Sequence, residues 1–278
     1  MMRNTLVTLL AAVAIVPAAA NAQTASTLTP FAMATTNYTQ NFDTLASTGT
    51  SALLPAGFQI VETGGTAADG MYVAGNGSSN AGNAYSFGST DSTDRALGSI
   101  ASGGVAPVMF GGVFTNGLAS SITSLSFGYF GEQWRLGTNP DPLTFEYSTD
   151  ATSLTSGTWV RADMLDFAGL STGSATGATA ALDGNAAGNR SLITGTIRDL
   201  SIAAGSNFGF RWTDINGAGN DAGLGVDDLN IAAGLGGGGV IPAPAVPEPA
   251  TWGMMVLGLG MAGGALRRRR NQQRFAFA

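Results

Sequence analysis

The chain has 278 residues, 41 of them glycine, and it contains no cysteine, histidine or lysine. Those absences exclude Ser-His-Asp and Cys-His nucleophiles and a Ser-Lys pair, remove disulfide support, and leave zinc without its usual nitrogen and sulfur ligands. The formal charge of −6 hides a segregation: from Asp43 to Ile231 there are 17 carboxylates and 6 arginines, a net of −11. That is the wrong sign for a nucleic-acid face and is compatible with calcium.

Residues 1–22 read as a secretory signal peptide. Met1-Met2-Arg3 is a short basic start, residues 6–16 are apolar, Pro17 breaks the run, and Ala20-Asn21-Ala22 has the small-x-small pattern of a cleavage site. The run is too short to span a membrane stably.

Residues 23–234 read as one all-β domain, large enough for a single core. Runs rich in Thr, Ser, Val, Phe and Tyr recur between Gly, Asn and Asp turns, predicting strands over 38–45, 57–61, 84–87, 108–114, 122–131, 143–148, 158–163, 191–200, 207–213 and 224–231. Leu125, Phe127 and Tyr129 alternate with Ser126 and Gly128, the period of a strand with one buried face. Ile122, Trp134, Phe145 and Tyr147 are further large inward-facing residues, and Trp134 reads as core. No useful window has a helical period. The expected architecture is an antiparallel two-sheet sandwich, jelly-roll-like. Residues 169–181 are poor in large side chains and read as a loop.

Within this body, carboxylates are the one remaining catalytic resource. Glu132, Glu146, Asp163 and Asp166 supply enough of them for a glycosidase-type pair, although no spacing singles out two. Glu132, Trp134 and Arg135 also read as a sugar-stacking surface if Trp134 is exposed. Asp214, Asn216 and Asp221 lie in a Gly-rich loop that offers oxygen ligands to calcium. The plainer reading of that loop is a solvated turn, and its spacing is not that of an EF-hand. Asp227 and Asp228 form a second acidic point. First and last strands of a sandwich often pair, so Asp43 is expected to approach it. One of two adjacent acids on a strand faces inward and needs a partner, which is either a metal or one of Arg95, Arg135 and Arg211.

Residues 235–246 are a linker, flexible in its glycines and then extended over Pro242 and Pro244. After it come Pro247-Glu248-Pro249, Trp252, an uncharged stretch to Leu266, and four arginines, Arg267, Arg268, Arg269 and Arg270. The stretch is just long enough for a transmembrane helix, and the arginines place the body outside the cytoplasm. Residues 271–278 are then a short cytoplasmic tail. Gly258, Gly260 and Gly263 match a dinucleotide fingerprint in spacing alone, since no βαβ unit surrounds them.

This ending resembles the PEP-CTERM sorting signal of Gram-negative bacteria over residues 246–270. Gly253 and the length of the tail depart slightly from the family pattern. The resemblance implies export, recognition of Pro247, Glu248 and Pro249 by an exosortase, and a destination at the cell surface or in an exopolysaccharide matrix. The segments around Gln40–Asp43, Thr93–Gly98, Gly131–Arg135, Phe210–Asp214 and Leu224–Asp228 are similar to a secreted bacterial β-sandwich module, which implies a fold and a compartment but no activity. The expected function is a non-catalytic exported surface or matrix protein. The competing readings are a secreted glycan hydrolase and a structural spacer without a ligand.

Overall fold

In the computed structural model the described residues are 29–65, 68–139, 141–173 and 179–235. The readings made for residues 1–22 and 236–278, including the signal peptide and the sorting signal, lie outside them. No helix among the described residues is long and apolar enough to cross a membrane.

The described chain forms two β-sheets and one short 3-10 turn at Asp163–Leu165. The smaller sheet contains β1 (Phe31–Met33), β4 (Phe58–Gly64), β8 (Val105–Asn116), β10 (Thr144–Ser148), β11 (Val160–Arg161) and β13 (Asn207–Asp214). The larger contains β2 (Asn37–Gln40), β3 (Thr50–Ser51), β5 (Tyr72–Gly75), β6 (Asn83–Phe87), β7 (Ala96–Ile100), β9 (Ser124–Arg135), β12 (Arg190–Ile197) and β14 (Gly223–Gly234). The result is sandwich-like and all-β. It is not purely antiparallel: β1 runs parallel to β8, and β5 runs parallel to β6. β2 pairs with the last strand, β14, setting Tyr38 opposite Ile231.

The core lies between the sheets and is aromatic. Phe208, Phe210 and Trp212 alternate along β13 and face Phe127 and Tyr129 of β9. The rings meet edge to face, Phe127–Phe210 at 5.4 Å and Tyr129–Trp212 at 5.1 Å between centroids, the geometry that ring quadrupoles favour. The Tyr129 hydroxyl donates to the Leu165 carbonyl at 2.5 Å, so the buried phenol keeps a partner.

The larger sheet is covered on both faces at one end. Tyr85, Phe87, Ala96, Ile100 and Trp134 form a second cluster on its outer side, with Phe87 stacked between Tyr85 at 5.0 Å and Trp134 at 6.0 Å. Gly184 lies against the Trp134 indole, where any side chain would overlap the ring. Double coverage explains why β7 is buried at every position instead of alternating. It also explains why simple alternation missed β7, along with the short strands β1, β3 and β5. Of the strand expected over 158–163, only Val160–Arg161 forms; Asp163 begins the 3-10 turn.

Candidate functional site

The residues singled out for chemistry fall in two places. At the end of β13, Asp214 is buried, and its carboxylate accepts the Ser99 hydroxyl at 2.7 Å. Asp221 curls beneath the following loop and accepts the Gly217 amide at 3.0 Å. Burial pushes the Asp214 pKa up to about 7, with Asp221 adding to it. Asp221 is pushed up to about 6, again mainly by burial and then by neighbouring Asp141. Asn216, Asn220 and Asp221 border a cleft of about 110 Å³ with Asn80 and Ser102.

The second place is on the outer face of the larger sheet. Ser99 pairs with Leu224 of β14; Asp227 lies three residues further, about 10 Å at strand rise, and on the opposite face. Here the expected alternation of Asp227 and Asp228 fails. From Asp227 to Asn230, β14 advances three residues while β9 advances two, from Phe130 to Gly128. Asp228 is the extra residue, held at φ 49°, and its amide donates to the Asp227 carboxylate at 2.7 Å. The bulge lets Val226 and Leu229 both reach the core, so no acid is forced inward.

The partner of this acidic point is none of Arg95, Arg135 and Arg211. It is Arg190 of β12, whose Nη2 lies 3.5 Å from both Glu132 and Asp228. Its guanidinium sits over the Phe130 ring at 3.9 Å. Glu132 accepts the Trp134 indole N–H at 3.1 Å. Asp43, just beyond β2, adds its charge to the environment of Asp228. Burial drives the Glu132 pKa up to about 8, opposed by Arg190 and Trp134. Asp227 rises to about 9, from burial and then from Asp228 and Glu132.

This arrangement bears on both chemical readings. Glu146 is held by Arg211 at 2.8 Å, and Asp163 and Asp166 are both held by Arg161. Glu132 is 1% exposed, Trp134 1% and Arg135 7%, so the three form no sugar-stacking surface. Arg135 instead donates to the Gly77 and Ser78 carbonyls. For calcium, Asp214, Asn216 and Asp221 come together, while Asp43 and Asp227 belong to the other place. Among the described residues, no group of three or more Asp, Glu, His or Cys is arranged to hold a metal ion.

A larger cleft, about 290 Å³, lies beside the Tyr85 end of the outer aromatic cluster. It is bordered by Thr48, Asn76, Ser79, Thr90 and Asp91, with Tyr85 and Arg95 at its base. No motif marked it, because its lining is gathered from segments far apart in sequence: two strands around Val73 and Tyr85, the loops bearing Thr48, Asn76 and Thr90, and Arg95.

Comparison with solved structures gives distant likenesses. A TmCBM61 module in complex with β-1,4-galactotriose is 8% identical, over 52% of this chain and 74% of that one, with a TM-score of 0.28. The K3 cleaved adhesin domain of Lys-gingipain from Porphyromonas gingivalis is 12% identical, over 71% and 91%, at 0.35. The Clostridium thermocellum xylanase 10B CBM22-1–GH10 modules with xylohexaose are 13% identical, over 74% of this chain but 28% of that one, at 0.30. With TM-scores this low, none of them bears on function. No curated protein matches the sequence. Residues 245–270 match the PEP-CTERM protein-sorting motif, so the chain carries the signal of an exported, membrane-processed protein handled by exosortase-type machinery.

Proposed function

We propose that the chain is a non-catalytic surface or extracellular-matrix protein of a Gram-negative bacterium, whose acidic β-sandwich associates with exopolysaccharide. The sorting motif at residues 245–270 is the observation that carries this reading. In it, residues 1–22 direct export and are removed. Residues 250–266 hold the chain in the inner membrane with Arg267–Arg270 on the cytoplasmic side, and an exosortase acts at Pro247, Glu248 and Pro249 before release to the surface. The body supports a non-catalytic role. The sequence offers no His, Cys or Lys, and its two most perturbed carboxyls, Glu132 and Asp227, are buried.

The test is intact mass and cell fractionation in a host that carries an exosortase, beside a variant with Pro247, Glu248 and Pro249 changed to Ala. The expected outcome is that wild type loses its C-terminal segment and reaches the surface, while the variant stays in the inner membrane. Identical mass and fractionation for both would leave a tethered periplasmic domain and end the sorting reading.

A further inference from the structure

The guanidinium of Arg95 is buried in the base of the 290 Å³ cleft. Its Nε donates to the Ser86 hydroxyl at 2.9 Å, and Nη2 donates to the Ser86 carbonyl. Nη1 has no hydrogen-bond partner among the described residues, and none of their carboxylates lies within ion-pair distance of the group. Burial works against the charged guanidinium, and the one carboxylate charge that supports it among the described residues, that of Asp94, does not come within ion-pair distance. Gly88 adds to this. It lines the same cleft, and a side chain there would overlap Nη1, so only glycine lets the guanidinium pack against the chain at this wall of the cleft. Above it, the rim carries hydroxyls and an amide from Thr48, Asn76, Ser79 and Thr90, and the exposed carboxylate of Asp91.

We infer that this cleft binds an acidic sugar residue, with the sugar carboxylate on Arg95 and the ring hydroxyls on the rim. A guanidinium presents parallel N–H donors matched to a carboxylate. Hydroxyl, amide and Asp91 acceptors match a polyol. Tyr85 and Gly75 complete the lining, with Gly75 packed close against the buried Tyr85 ring. A dianion such as phosphate fits poorly, because one cation faces it and Asp91 stands beside it. The inference rests on the exopolysaccharide reading and narrows it to uronate-bearing polymers.

The test uses the full chain in detergent, titrated calorimetrically with glucuronate, glucose and inorganic phosphate, and passed over immobilised alginate and dextran. Glucuronate is expected to bind at least tenfold more tightly than glucose or phosphate. Arg95→Ala should abolish that preference. Thr48→Trp, at an exposed rim position, should weaken glucuronate at least tenfold with an unchanged melting temperature, which keeps the test valid if the Arg95 variant misfolds. Glucuronate no tighter than glucose or phosphate, or a Thr48→Trp variant that binds like wild type, overturns the site. Retention on dextran but not alginate overturns the acidic-sugar site alone; retention on neither polymer ends the polysaccharide reading as well.

Discussion

At the scale of single residues, burial rather than pairing sets the charge state of the carboxyls. Burial pushes Glu132 up to about 8 against the pull of half-buried Arg190, and pushes Asp227, which has no arginine beside it among the described residues, up to about 9 with Asp228 and Glu132 adding to it, so both carry a proton at pH 7. Their folded pKa values lie above those of the unfolded chain, so between about pH 4 and pH 9 the folded state holds protons that the unfolded state has released. Stability therefore falls as pH rises through that window, by about 1.4 kcal/mol per pH unit for each such proton. We expect wild type to melt at a progressively lower temperature from pH 5 to pH 9, and Glu132→Gln and Asp227→Asn each to flatten the decline. Parallel slopes for wild type and both variants would show that neither carboxyl is neutral in the folded chain. Glu62 is raised by burial as well, but there three backbone amides oppose it. Its carboxylate accepts the amides of Asp69, Gly70 and Ala84 at 2.8–3.0 Å, stitching β4 to the start of β6. Glu62→Ala leaves those amides without an acceptor and should cost about 3 kcal/mol or more, read as a lower urea midpoint. The sequence singled out Glu132 and the Asp227–Asp228 pair but showed neither how deeply Glu132 and Asp227 are buried nor anything of Glu62. The usable hint for Glu132 was its place between Phe130 and Trp134, one residue out of phase with the Leu125–Phe127–Tyr129 stripe, which marks a second covered face.

At the scale of elements, the long strands were readable and the sheet edges were not. β9 and β13 declare themselves because large residues recur at every second position on the face turned to the core, even though β9 is covered on its other face as well. β5 and β7 do not, because Gly, Ala and Ser carry no period when both faces are covered or when the strand is short. The bulge in β14 was invisible for a related reason: Val226-Asp227-Asp228-Leu229 alternates imperfectly, and only the register against Phe130 and Gly128 shows that one residue is extra. Its backbone makes a sharp prediction. At φ 49° a β-branched side chain is strained, whereas glycine is not. Asp228→Val should cost about 1–2 kcal/mol, while Asp228→Gly should cost clearly less, since the half-buried Arg190 contact it gives up is a long one at 3.5 Å. Chemical denaturation of the two variants side by side checks the sign; equal losses would mean that the side chain, not the backbone, matters there. By contrast, Phe210 sits at the crossing of the two sheets, in ring contact with Phe58, Phe114, Phe127, Phe145 and Trp212. Phe210→Ala should therefore cost about 3–5 kcal/mol.

At the scale of the whole molecule, the two kinds of information separate cleanly along the chain. Destination is written locally, in contiguous residues ending at Arg270, so a sequence motif suffices to read it. Ligand recognition, if Arg95 and its cleft supply it, is assembled from loops far apart in sequence and cannot be seen until the sheets bring them together. Charge connects the two. The body keeps its arginines mostly in local contacts, Arg161 and Arg211 with carboxylates and Arg95 and Arg135 with carbonyls and hydroxyls, and leaves most of its acids at the surface. Such a body repels itself at low ionic strength, where the Debye length reaches about 30 Å at 0.01 M and shrinks to about 8 Å at 0.15 M. Raising sodium chloride across that range at pH 7 should therefore raise the melting temperature. Calcium at matched ionic strength should add no more than magnesium does, because no three of the described carboxylates are arranged to hold a metal ion. A calcium-specific rise abolished by EDTA would mean that Asp214, Asn216 and Asp221 recruit further oxygen ligands on binding, and would return the loop after β13 to the position of a metal site.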